Sequence, residues 1–199
     1  MEDILEYLKR TYSPCGMIVY GSYADGTKND KSDFDVLVIT NGGSAKHDNS
    51  TIGGVVLDAF VYPCGAIKAE DFIHIYGGTI IFDTNGFALG LMNEVTRLID
   101  DFTPKSYEEN CTNIAWCEKM LLRADRNDAE GYFRWHWLLT ESLEIYCDVI
   151  GKRYLGPKKS IIRMCSEDNE SYCIYEKALT DFDYSSLSKW ICRIKELMK

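Results

Sequence analysis

The chain has 199 residues, 46% hydrophobic and 27% charged, enough for one large globular domain or two small ones with a substantial core. Its 31 acidic residues outnumber 22 basic ones, and the formal net charge is −9. That balance argues against a nucleic-acid polymerase or a general DNA binder, because phosphate contacts need a basic surface; it suits a small or cationic ligand, or plain solubility.

Residues 1–10 read as a short amphipathic helix with Ile4, Leu5 and Leu8 on one face. The charged opening does not have the pattern of a secretory leader, and no apolar run approaches the roughly 18 residues that span a bilayer. Eight cysteines, at positions 15, 64, 111, 117, 147, 165, 173 and 192, include no Cys-x-x-Cys and no Cys/His cluster with zinc-ligand spacing. A reduced cytoplasmic protein without a membrane partner is expected.

Residues 17–20 are predicted as a first strand and 34–39 as a second. Between them, Gly21-Ser22-Tyr23-Ala24-Asp25-Gly26 forms a small-residue turn, and a polar stretch through Lys31 and Ser32 leads into Asp33-Phe34-Asp35. Side chains at i and i+2 of a strand share a face, so Asp33 and Asp35 can hold one or two divalent ions. Gly21 lets the backbone approach a phosphate closely, and Ser22 offers N–H and hydroxyl donors. Together these residues describe a site for a metal-bound nucleoside triphosphate.

Residues 41–49 read as a Gly- and Ser-rich loop, and 55–62 as a third strand carrying Asp58 among apolar neighbours. Residues 66–76 are predicted as a helix, 79–82 as a strand and 87–101 as a helix, an alternation typical of an α/β unit. After Pro104 the strand signals vanish: 107–124, 130–150, 158–165, 172–180 and 184–198 all carry helical patterns. Asp128 can cap the second of these, Gly151 can end it, and Pro157 suits a helix start. On 130–150, Trp137, Glu141, Glu144 and Asp148 share one face, while Leu139, Leu143, Tyr146 and Ile150 line another that reads as core. The expected fold is an α/β (α+β) domain with a small mixed sheet over residues 1–103, followed by an all-α helical bundle over 104–199.

The Gly-Ser turn, a spacer of about ten residues, and Asp-hydrophobic-Asp-hydrophobic on strand-like runs resemble the signature of the DNA polymerase β-like nucleotidyltransferase superfamily; the match extends to Ala24, Gly26 and Ser32. The resemblance implies transfer of an NMP from a Mg-NTP, with ATP as the expected donor, and two Mg²⁺ ions bridged by Asp33 and Asp35. It also implies a third carboxylate on an adjacent strand, for which Asp58 is the candidate, and phosphate contacts from Gly21 and Ser22. Where many relatives show Arg between Ala24 and Gly26, this chain has Asp25.

The segment 132–139, with 141–150 and Arg153-Tyr154-Leu155-Gly156-Pro157-Lys158-Lys159, resembles the C-terminal bundle of antibiotic-type nucleotidyltransferases. That resemblance implies a triphosphate contact from Lys158, or else Lys159. It further implies a small hydroxylated acceptor such as an aminoglycoside or lincosamide, held between the two halves, and a homodimer. Glu141 is then the candidate general base, with Glu144 and Asp148 on the same stripe. Two other functions compete. One is an antitoxin-like enzyme that AMPylates a protein, although the Arg-x4-6-His signature of its toxin partners is lacking, Arg134 and His136 being too close. The other is a non-catalytic nucleotide sensor, which three intact carboxylates disfavour.

Overall fold

The strands around the Gly-Ser turn build the centre of a mixed sheet. In the computed structural model, which describes residues 1–198, the chain divides into two compact units, Met1–Asp101 and the segment from Phe102 onward. The first contains helix α1 (Glu2–Tyr12), strand β1 (Gly16–Val19), one-turn helix α2 (Ser22–Asp25), strands β2 (Phe34–Thr40), β3 (Lys46–Asp48), β4 (Thr51–Ile52), β5 (Val55–Pro63) and β6 (Thr79–Asp83), and helix α3 (Phe87–Asp100). The sheet order is β3-β5-β2-β1-β6, with β4 also paired to β5. Only β2 and β5 run parallel.

β2 is buried along its whole length except at Asp35 and belongs to the sheet interior, as expected of a near-continuous apolar strand covered on both faces. On one face Met17, Val19, Phe34, Val36, Val38 and Leu57 pack against Ile4 and Leu8 of α1. On the other, Ile18, Tyr20, Leu37 and Ile39 pack against Phe72, Ile75, Leu91 and Val95.

Two expectations fail in this unit. Residues 66–76 are not an α-helix but 3₁₀ segments at Cys64–Ala66 and Ala69–Ile75, interrupted by a non-helical Phe72 (φ −117°, ψ 24°). Ala69, Phe72 and Ile75 are the buried positions, and their spacing of three fits a 3-residue turn better than one of 3.6. The predicted loop over 41–49 contains β3, and β4 follows it. β3 lies at the sheet edge, with Lys46 and His47 exposed, so it lacks the apolar alternation by which a strand is recognised. Its one buried residue, Asp48, anchors α1 by accepting hydrogen bonds from the Tyr7 (3.1 Å) and Tyr12 (2.7 Å) hydroxyls.

The second unit holds α4 (Tyr107–Ala124), α5 (Ala129–Val149), α6 (Pro157–Glu167), α7 (Asn169–Thr180) and α8 (Tyr184–Leu197). Capping follows the sequence signals. Ser106 and Glu109 form a capping box on α4, Asp128 accepts from the Gly131 N–H at 2.8 Å, and Pro157 opens α6. Leu138, Leu143, Tyr146, Tyr175 and Trp190 form the core. Two of its polar groups are paired, Trp190 Nε1 donating to Ser142 Oγ at 2.8 Å and the Tyr175 hydroxyl to the Leu139 carbonyl at 2.9 Å. Among the described residues no cysteine is disulfide-bonded, and burial pushes the Cys117 thiol up to about 12. No described helix is long and apolar enough to cross a membrane.

Candidate active site

Cross-strand register brings two of the three sequence-selected aspartates side by side. In the parallel β2/β5 pair, Asp35 stands opposite Asp58, and register partners in adjacent strands project from the same face. Both are half-buried. Tyr20 extends the row: its N–H donates to the Asp35 carbonyl at 3.1 Å. Its phenol is buried and its hydroxyl has no hydrogen-bond partner in the protein. Burial, then the nearby Asp58 and Asp35 carboxylates, push that phenol far above its ordinary value, so it stays a neutral donor at any physiological pH.

The Gly-Ser turn is fitted to Asp35. Gly21 has φ +64°, and a Cβ built there would overlap Asp35 Oδ2. Ser22 follows as the first residue of α2, and its carbonyl accepts from the Lys28 N–H at 3.1 Å, folding the next loop back over the turn. Asp25 takes a local bracing role, accepting from the Thr27 N–H (3.0 Å) and hydroxyl (2.6 Å). Asp33 stands one residue before β2, exposed, and lines a cleft of about 550 Å³ together with Tyr23, Lys28, Lys31 and Val55.

His47 joins the site without having been singled out by its sequence context. Its Nε2 lies 2.6 Å from Asp58 Oδ1, and its ring stacks on Phe60 with centroids 4.7 Å apart and planes 23° from parallel. Phe60 is the cross-strand partner of His47 and lies two residues beyond Asp58 on β5, so both contacts come from one face of one strand. The available sequence signal was that His47 is one of only three histidines. A second, His74, packs edge-on against Tyr20 at 5.1 Å.

The donor set fits Mg²⁺, which takes carboxylate oxygens, keeps several waters and completes its shell with substrate phosphates. Asp35 and Asp58 would hold it, beside the orphaned Tyr20 hydroxyl. Among the described residues no three His, Cys, Asp or Glu side chains form a ready-made metal-binding group.

In the second unit, Glu141 and Glu144 are exposed on α5, whereas Asp148 is buried. Lys105 Nζ pairs with Asp148 Oδ2 at 2.6 Å, and that contact holds the Lys105 ammonium above its ordinary pKa. The predicted acidic stripe therefore shrinks to Glu141 and Glu144. Lys158 and Lys159 lie in the first turn of α6.

A model of the nucleotidyltransferase domain family matches residues 1–115, more than half of the chain. The chain belongs to that family. Among solved structures, it is similar to a nucleotidyltransferase-like protein from Exiguobacterium sibiricum 255-15, with 15% identity and a TM-score of 0.41 over 98% of this chain and 71% of that one. No curated protein matches the chain. Membership of the family makes a nucleotidyl transferase the coarse functional assignment, and Asp35, Asp58 and the Gly21 turn all fall within the matched residues.

Proposed function

We propose that this chain transfers a nucleoside monophosphate from a Mg-NTP, with ATP as donor, to a hydroxyl of a small molecule of the aminoglycoside or lincosamide kind. The observation that carries the proposal is the in-register Asp35–Asp58 pair packed against the Gly21 turn. In the reaction the acceptor oxygen bonds to the α-phosphorus, the bond to the bridging oxygen breaks, and pyrophosphate leaves with that electron pair. Mg²⁺, when bound, supplies neutralisation of phosphate charge.

The chain's own groups do the rest. Asp35, Asp58 and Asp33 supply carboxylates; Ser22 offers its N–H and hydroxyl to phosphate. The acceptor's proton passes to a carboxylate, for which Asp58 is the candidate in the first unit and Glu141, exposed on the acidic stripe of α5, the candidate in the second. The net charge of −9 favours an amine-bearing acceptor. Assignment of Lys158 or Lys159 to the triphosphate rests on the resemblance to the antibiotic-type bundle, as does a homodimer.

Pyrophosphate release, screened over the four NTPs against aminoglycosides, lincosamides and protein acceptors, tests the proposal. Release with a small hydroxylated acceptor supports it, and release with protein acceptors alone contradicts the small-molecule assignment. Titration of a non-hydrolysable NTP tests the lysines: if neither Lys158→Ala nor Lys159→Ala weakens binding, neither serves the triphosphate.

A further inference from the structure

We infer that His47 is a positioning residue for Asp58: it holds one carboxylate oxygen so that the other is presented to the cation. The inference deepens the proposed function and rests on the metal role of Asp58 stated there.

A carboxylate oxygen accepts hydrogen bonds and cannot donate one, so Nε2 of His47 carries the proton and donates it to Oδ1 at 2.6 Å. Such a short, charge-assisted bond is directional. Donation to Oδ1 removes the free rotation that a half-exposed aspartate would otherwise have about its terminal torsion, and leaves Oδ2 as the oxygen His47 does not engage.

The imidazole is itself held at two points. Its ring lies flat on Phe60, and its backbone is fixed by the antiparallel β3/β5 register, in which Lys46, His47 and Asp48 pair with Val61, Phe60 and Ala59. β3 has only three residues, and Asp48, next to His47, is tied to α1 through Tyr7 and Tyr12. The edge strand thus delivers one imidazole to one carboxylate. Partners that orient a metal-binding side chain typically change metal affinity by about 10–100-fold when removed.

The test uses Mn²⁺ alone as a probe, added to the full chain and followed by the loss of the free-ion EPR signal. His47→Phe keeps a ring to stack on Phe60 and removes the donor; His47→Gln keeps a donor. His47→Phe is expected to weaken Mn²⁺ binding by about 10–100-fold with thermal unfolding unchanged, and His47→Gln to bind more tightly than His47→Phe. Parent-like affinity in His47→Phe, while Asp58→Asn has lost binding, overturns the positioning role and leaves the metal site standing. Parent-like affinity in Asp58→Asn overturns the metal role of Asp58 and this inference with it. Should His47→Phe fail to fold, the parent serves: bound Mn²⁺ must broaden the His47 ring resonances, and an unbroadened His47 ring beside a broadened Asp58 amide overturns the inference.

Discussion

The carboxylate of Asp35 fills the space into which any residue other than glycine at position 21 would place its Cβ. Turn and carboxylate are therefore a single fitted unit. Gly21 also has φ +64° and ψ −150°, a region of backbone space that is essentially glycine's own.

Gly21→Ala is expected to cost about 1–3 kcal/mol in backbone strain and to push Asp35 away from its register partner. Thermal unfolding should fall, and pyrophosphate release should fall by more than the lost folded fraction explains. A variant as active and as stable as the parent would show that Asp35 relaxes freely.

Tyr20→Phe separates packing from chemistry. The phenol is buried and its hydroxyl has no partner in the protein, and an unsatisfied buried polar group is destabilising. Removing the oxygen should leave stability unchanged or raise it by up to about 1 kcal/mol. A clear loss of stability in denaturant titration would reveal a hydrogen bond that the hydroxyl makes in solution.

Asp48 sets an acid limit on the first unit. Burial raises its pKa, but hydrogen bonds from Ser50, Tyr12 and Tyr7 outweigh burial and leave it below the ordinary 3.8. A depressed folded pKa contributes stability above the unfolded value, which is lost as pH falls through the folded one. Tyr12→Phe should cost about 1–2 kcal/mol at neutral pH, and its deficit relative to the parent should shrink below pH 3.8. A deficit independent of pH would contradict the assignment.

In the second unit, Lys105→Met leaves the buried Asp148 carboxylate without its cation. Because Lys105 is 40% exposed, a cost of about 1–3 kcal/mol is expected, below that of a fully buried pair. The double variant Lys105→Met/Asp148→Asn should be the more stable of the two, the cycle reading the pair directly. If the double variant is the less stable, Asp148 has other partners that matter more.

Much of this was legible in the chain itself. Strands β1, β2 and β5 and four of the five helices of the second unit carry apolar or helical patterns strong enough to place within a residue or two, while α7 begins three residues before its expected start, and Gly21, Asp35 and Asp58 stand out as polar or small residues inside apolar runs. What escaped was whatever depends on pairing. His47 sits in a polar stretch with no periodicity, and only the β3/β5 register brings it to Asp58. Asp148 fits the helical spacing of Glu141 and Glu144, yet the cation that buries it comes from Lys105, which precedes α4. The 3₁₀ segment at Ala69–Ile75 carries the same apolar pattern as an α-helix because, over seven residues, spacings of three and 3.6 are hard to tell apart.

The most direct test of the central claim is pyrophosphate release from ATP and a small hydroxylated acceptor, compared between the parent, Asp35→Asn and Asp58→Asn at fixed Mg²⁺. Both variants should remain folded, since removing one of two neighbouring negative charges eases their repulsion. Release should require Mg²⁺, stop on chelation, and fall by roughly 100-fold or more in each variant, as expected when several kcal/mol of charge stabilisation are lost. Full activity in either variant with Mg²⁺ present would contradict the assignment of the Asp35–Asp58 pair as the catalytic centre.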